Sequence, residues 1–187
     1  MTVLPFYWLV PGQVAAGLYP GSPDPGQARE KLRWLVGQGI RAFVDLTEPG
    51  EITRSFGPLV PYEGVLREVA GEAGETVERL SFPIPDGEAP SPETMVRILD
   101  AMDERMAAGS PLYVHCLGGR GRTGVVVGCF LVRHAPRLLG TDDPVEAPRR
   151  ALAQIVQERV AQGMPFAGDS PQTCPQFERV GSWRIGR

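Results

Sequence analysis

The chain has 187 residues, enough for one domain with a sizeable core and too few for a second large one. Hydrophobic residues make up 42% and charged residues 22%, an ordinary globular balance, and a net charge of −3 argues against non-specific binding to nucleic acid or to an anionic membrane. The three cysteines, Cys116, Cys129 and Cys174, have the spacing of neither a disulfide framework nor a zinc site, so a reducing, cytoplasmic setting is expected.

Met1–Val10 is apolar but short and has no basic segment before it, so no signal peptide is expected. Val125–Val132, the longest apolar run, falls far below the roughly 20 residues that span a bilayer, so no membrane insertion is expected. Gln13–Leu18 reads as a first short strand, closed by Tyr19-Pro20-Gly21. A helix follows over about Gly26–Gln38, with Ala28, Leu32, Leu35 and Val36 on one face. Ile40–Leu46 is a buried-strand run, Thr47–Pro61 is irregular, and Tyr62–Ala70 reads as a short helix. Thr76–Phe82 reads as a strand that enters Pro83-Ile84-Pro85-Asp86, held extended or turning by its prolines. Ser91 caps a helix with Pro92 in its first turn. Met95, Ile98, Leu99, Met102 and Met106 form that helix's apolar stripe, a core-packing pattern.

Pro111–His115 is a further strand, and Thr123–His134 a helix apolar on every side, hence central and buried. Arg149–Ala161 is predicted as a helix with Leu152, Ile155 and Val156 inward, and Pro175–Trp183 as the last helix. Strands alternating with helices imply an α/β, three-layer-like sandwich, its largely parallel central sheet flanked by helices, with residues 1–187 as a single domain. Ligands of such folds sit at the carboxyl ends of strands, beside a helix N-terminus. The loop after Val114 stands at that place.

That loop reads His115-Cys116-Leu117-Gly118-Gly119-Arg120-Gly121-Arg122-Thr123-Gly124. With few side chains between strand and helix, the backbone N–H groups from Leu117 to Arg122 can converge on one phosphate-sized concavity, and the helix dipole adds positive potential. Gly118, Gly119 and Gly121 permit tight curvature. Arg122 offers a planar fork of donors for two phosphate oxygens. The same field holds a thiol such as Cys116 as a thiolate at neutral pH. His115 is placed to orient the loop through hydrogen bonds. The Thr123 hydroxyl can donate to the sulfur and help it leave.

Cys-x5-Arg followed by Thr and preceded by His resembles the phosphate-binding loop of the protein tyrosine phosphatase superfamily, and the dual-specificity branch is closest in size. In layout the resemblance runs from about Gln13 to Trp183. It implies hydrolysis of phosphate monoesters through a phosphocysteine intermediate, with Cys116 as nucleophile, Arg122 binding phosphate, and no metal or organic cofactor. It also implies a general acid upstream, just after a proline. Phe82-Pro83-Ile84-Pro85-Asp86-Gly87 fits, with Asp86 as the acid and Glu88 as its nearest rival. Ser170-Pro171-Gln172-Thr173-Cys174-Pro175-Gln176-Phe177 looks like the glutamine loop of tyrosine-specific members. By that match Gln172 and Gln176 position the attacking water.

Partners implied are a phosphorylated protein or a small phosphate ester; the substrate expected first is phosphotyrosine, with phosphoserine and phosphothreonine beside it. Arg120 leaves an alternative open: a basic residue in the loop suits inositol phosphates, phosphoinositides or nucleotides, or else it is a solvated side chain. A silent phosphate-binding module is the third alternative. Asp45, Glu48 and Glu51 read as a solvated acidic loop, with pairing of one of these carboxylates to Arg122 as the alternative. Cys129 reads as a core cysteine, and Cys174 as a resolving thiol for Cys116 under oxidation. The oligomeric state is open, with a monomer expected.

Overall fold

The computed structural model describes residues 4–53, 57–166 and 168–187. Parts of the expected N-terminal segment and of the irregular Thr47–Pro61 stretch therefore lie outside the described residues. Strands β1 (Phe6–Val10), β2 (Val14–Gly17), β3 (Ala42–Asp45), β6 (Glu78–Ser81) and β7 (Leu112–His115) build a five-stranded sheet in the order β1-β2-β7-β3-β6. β1 runs antiparallel to β2; the other three pairings are parallel. β4 (Ile52–Thr53) and β5 (Gly57–Pro58) form a separate two-stranded ribbon.

The alternation of side chains along the strands makes two cores. Ala15, Phe43 and Tyr113 face α1 (Pro25–Gly37) and α2 (Glu63–Ala73), packing on Leu32, Leu35, Leu66 and Val69. Val14, Ala16, Val44, Leu112 and Val114 face the opposite core, with α3 (Pro92–Ala107), α4 (Gly121–Arg133), α6 (Glu146–Ala161) and α7 (Cys174–Ser182). The expected α/β sandwich with a mostly parallel sheet between helical layers is the fold observed.

α4 fits its sequence: every residue from Gly121 to Val132 is buried, each large apolar side chain among them worth about 1.5–3 kcal/mol on burial. Close packing needs its glycines, because a Cβ on Gly128 would lie 2.8 Å from Val180 Cγ2 of α7. Helix starts follow their caps. Asp24 accepts from Gly26 N at 2.8 Å, Ser91 accepts from Thr94 N at 3.2 Å, and Thr173 forms a capping box with Gln176.

Several elements differ from the sequence expectation, among them the β4–β5 ribbon inside the stretch expected as irregular. Phe6–Val10 is a strand, because Pro11-Gly12, with Gly12 at φ +69°, turns the chain back to pair with β2. α6 begins at Glu146, where the Asp143 carboxylate accepts from Val145 N at 2.7 Å and Glu146 N at 3.1 Å. A short helix, α5 (Ala135–Leu138), continues the chain after α4.

Candidate active site

The register of the sheet fixes where the site stands. Gly17 of β2, His115 of β7 and Asp45 of β3 occupy one row at the carboxyl end. The loop from Cys116 to Arg120 leaves that row and enters α4. Tyr19 N donates to Leu117 O at 3.0 Å, and Leu46 N to His115 O at 3.0 Å, so both neighbouring strand ends hold the loop's first turn. Gly119 is buried at φ +58°, and a Cβ there would lie 2.3 Å from Gly17 O, so only glycine fits. Gly121 lies against the side chains of Gln172 and Gln176, and Gly124 against Ser170 Oγ. Gly118 is exposed.

Cys116 is buried, its thiol free. Arg122 is buried as well, and the sources of its hold are clear. Its two terminal nitrogens grip Glu51 in a fork, Nη1 to Oε2 at 2.5 Å and Nη2 to Oε1 at 2.8 Å. Nη1 also donates to Ile84 O at 3.1 Å. Nε is buried with no hydrogen-bond partner among the described residues. Burial opposes the Arg122 charge, but the Glu51 pair, Cys116 and Asp86 outweigh it and push its pKa above the ordinary arginine value. The acidic segment after β3 is therefore not simply solvated: Glu51 is the carboxylate that pairs with Arg122.

Asp86 exposes most of its carboxylate and puts Oδ1 at 3.1 Å from Arg122 Nη2. The backbone around it is fastened to the start of α7: Thr173 Oγ1 donates to Gly87 O at 2.8 Å, and Gln176 Nε2 to Glu88 O at 3.0 Å. Gln176 is fully buried, and its Oε1 accepts from Gln172 N at 3.0 Å and Thr173 N at 3.2 Å. Its amide is spent on backbone groups, whereas Gln172 is exposed at the loop. Glu88 contributes its backbone to this clamp and leaves its side chain exposed.

His115 is sealed among Tyr19, Tyr62 and Tyr113. Its Nε2 is 2.7 Å from Tyr62 Oη and its Nδ1 3.9 Å from Asp45 Oδ1. Burial pushes its pKa down to about 4, against the pull of Asp45, so the ring is neutral at pH 7. Asp45 is itself fixed by Arg79 Nε at 2.9 Å and by Thr47. The Thr123 hydroxyl is buried and has no hydrogen-bond partner among the described residues. Arg120 is committed elsewhere: Nε donates to Asp169 O at 2.7 Å, Nη2 pairs with Asp169 Oδ2 at 2.9 Å, and the guanidinium stacks 5.3 Å from the Phe166 ring centre.

Two features escaped the sequence reading. Arg159 of α6 is fully buried and donates Nη1 to Gly119 O and Nη2 to Pro165 O, the latter at 2.8 Å. The available signal was its four-residue spacing from Ile155 and Ala151, which puts it on the buried face of α6. A cavity of about 400 Å³ also adjoins the loop, lined by Leu18, Tyr19, Leu59, Val60 and Leu117, with half-buried Lys31 at its wall.

No group of three or more His, Cys, Asp or Glu side chains among the described residues is placed to hold a metal ion. No helix among them is long and apolar enough to cross a membrane.

The chain is similar to several known proteins. The family model described as "Tc-R-P: Polymorphic toxin system, DSP-PTPase phosphatase" matches residues 20–136. Effector protein hopD2 of Pseudomonas syringae pv. tomato is 47% identical over 57 residues, 30% of this chain and 12% of that protein. Protein tyrosine phosphatase domain-containing protein 1 of Mus musculus is 32% identical over 103 residues, 54% of this chain and 13% of that protein. The chain thus spans about an eighth of the length of these two curated relatives. The crystal structure of Tk-PTP in the active form superposes with a TM-score of 0.65 and 26% identity, covering 94% of this chain and 93% of that one. With residues 20–136, more than half of its length, matched, the chain belongs to the polymorphic toxin system DSP-PTPase phosphatase family, within the protein tyrosine phosphatase superfamily.

Proposed function

We propose that this phosphatase hydrolyses phosphotyrosine on proteins, residues 1–187 acting as one phosphatase domain, through a phosphocysteine intermediate formed at Cys116. The observation that carries the reading is the state of Arg122: buried above the loop, aligned by Glu51, with Nε–H unspent and Asp86 at 3.1 Å. An arginine so held offers Nε–H and, once the exposed Asp86 carboxylate swings off it, the outer edge of Nη2 to two oxygens of a phosphate.

In the first step Cys116 Sγ attacks phosphorus, the S–P bond forms, and the bond from phosphorus to the ester oxygen breaks. Asp86 gives its proton to the departing phenolate. In the second step a water placed by Gln172 attacks phosphorus, its proton passes to Asp86, and the S–P bond breaks to return the thiolate, aided by the Thr123 hydroxyl. The loop amides from Leu117 to Arg122 carry the equatorial charge in both steps. Gln176 and His115 act from behind, by holding Gln172 and the loop in place. The reaction requires Cys116 to stay reduced, which fits a reducing compartment.

The attachment of Arg120 to Asp169 supports a monophosphate over a polyphosphorylated inositol, since that cation is already occupied. The apolar cavity beside Leu117 supports a peptide, whose side chains need such a surface. The test is a substrate panel of phosphotyrosine, phosphoserine and phosphothreonine peptides, inositol phosphates and an aryl phosphate, run with the native chain and with Cys116→Ser. Phosphotyrosine peptides should give the highest kcat/KM, and Cys116→Ser should bind vanadate without turnover. Greater efficiency on inositol phosphates would replace the substrate, and turnover by Cys116→Ser would remove the mechanism.

A further inference from the structure

Among the groups the proposed mechanism leaves unused, Arg159 is the most costly to bury. Its side chain is fully inaccessible, yet no carboxylate among the described residues forms an ion pair with it. Its neighbours are two backbone carbonyls, Gly119 O and Pro165 O, while its Nε has no hydrogen-bond partner among the described residues. An isolated charge in a protein interior is expensive unless something nearby carries the opposite sign. The Tyr7 hydroxyl, beside it, does not supply that sign: burial pushes the Tyr7 pKa well above the ordinary tyrosine value, so the phenol stays neutral, though Arg159 works against the shift.

The geometry of the Gly119–Arg120 peptide indicates where the opposite charge sits. A trans peptide points its C=O and N–H in opposite directions. With Gly119 O bonded to Arg159, the N–H of Arg120 is turned away from that arginine. Gly119 itself cannot be replaced by a larger residue, because Gly17 O closes the space a side chain would need.

We propose that Arg159 is a positioning residue for the phosphate loop, and that it is the fixed cation neutralised by the anion the loop holds, first the Cys116 thiolate and then the bound phosphate. The inference rests on the reading of this loop as the phosphate site. It makes two separable contributions: carbonyl bonds that aim the amides, and a charge that the anion sees through the loop.

Lysine and glutamine separate these. Arg159→Lys keeps the charge and gives up the two-pronged grip; Arg159→Gln removes the charge. The probes, on the full chain, are inorganic vanadate affinity, the rate of Cys116 alkylation by iodoacetamide at pH 7, and thermal stability. Both variants should melt earlier than the native chain. Vanadate affinity and alkylation rate should fall about tenfold or more in Arg159→Gln, and stay within about threefold in Arg159→Lys. Equal losses in both variants, tracking the fall in stability, would mean packing support alone and overturn the proposal. So would undiminished vanadate binding by Arg159→Gln. If Arg159→Gln does not fold, Arg159→Lys decides: affinity within threefold supports the proposal and a tenfold loss overturns it. A native chain that binds no vanadate would bring down the phosphate-site reading as well, and that outcome is distinct from the others.

Discussion

Glu51 and Arg122 show how one carboxylate prepares an arginine for an anion. The pair uses both terminal nitrogens of the guanidinium and leaves Nε free, so the group is already oriented for the phosphate we propose it binds. Glu51→Gln keeps the shape but not the charge. It is expected to lower kcat/KM by about 10- to 100-fold, mainly through KM, as read in steady-state kinetics. The pair also has a pH signature. Burial alone would raise the Glu51 pKa, but the hydrogen bond and charge of Arg122 hold it below the ordinary 4.5. A group with a lowered folded pKa contributes stability that is present above 4.5 and is lost as pH falls through the folded value. Urea midpoints measured from about pH 6 down to pH 3 should therefore fall more steeply for the native chain than for Glu51→Gln.

The elements around the loop are joined at a few backbone points, and these decide what each substitution does. Gln176 fastens the start of α7 to the Asp86 loop through Glu88 O and to Gln172 and Thr173 through their N–H groups. Gln176→Ala removes the side chain that three backbone groups bond to, at a cost of about 1–3 kcal/mol for each that water cannot reach. Its melting temperature should drop and its kcat with it. Gln172→Ala, at an exposed position, should leave stability alone and slow the second step, seen as a burst of aryl alcohol followed by slow turnover. The glutamine segment was legible in sequence as a motif, but the division of labour between its two glutamines was not. Both are polar residues near a helix start, and only burial tells them apart. Glu51 was legible only as one of three acids. Which of them meets Arg122 depends on how the chain folds between β3 and β4, where no periodic pattern speaks. Arg159 was not legible as part of the site at all, because a helix pattern shows which face is inward but not that an inward arginine lies under a loop 40 residues away. By contrast α4 could be read directly, since a helix apolar on all sides has one stable location.

Across the molecule the sheet ties the site to overall stability through His115. The ring is buried and its pKa is depressed to about 4 from 6.5. Between these values the unfolded chain takes up a proton that the folded chain refuses, so stability falls as pH drops from about 6.5 toward 4 and this contribution levels off below that. The loss is at most about 3 kcal/mol over the interval. His115→Asn should be less stable at neutral pH yet show a flatter profile through that interval, as measured by urea unfolding at stepped pH. The sheet order itself was only partly legible. Parallel strands alternating with helices were evident, whereas β1 was hidden in an aromatic run, Phe6–Val10, whose one turn signal, Pro11-Gly12, lies beside it. The row formed by Gly17, His115 and Asp45 has a consequence for diversification. The loop that carries Cys116 leaves that shared rim for α4, while the segment before α1 leaves it after Gly17 and lines the neighbouring cavity. Lengthening or recolouring the segment before α1 would change which molecules are admitted while leaving Glu51, Arg122 and the loop untouched.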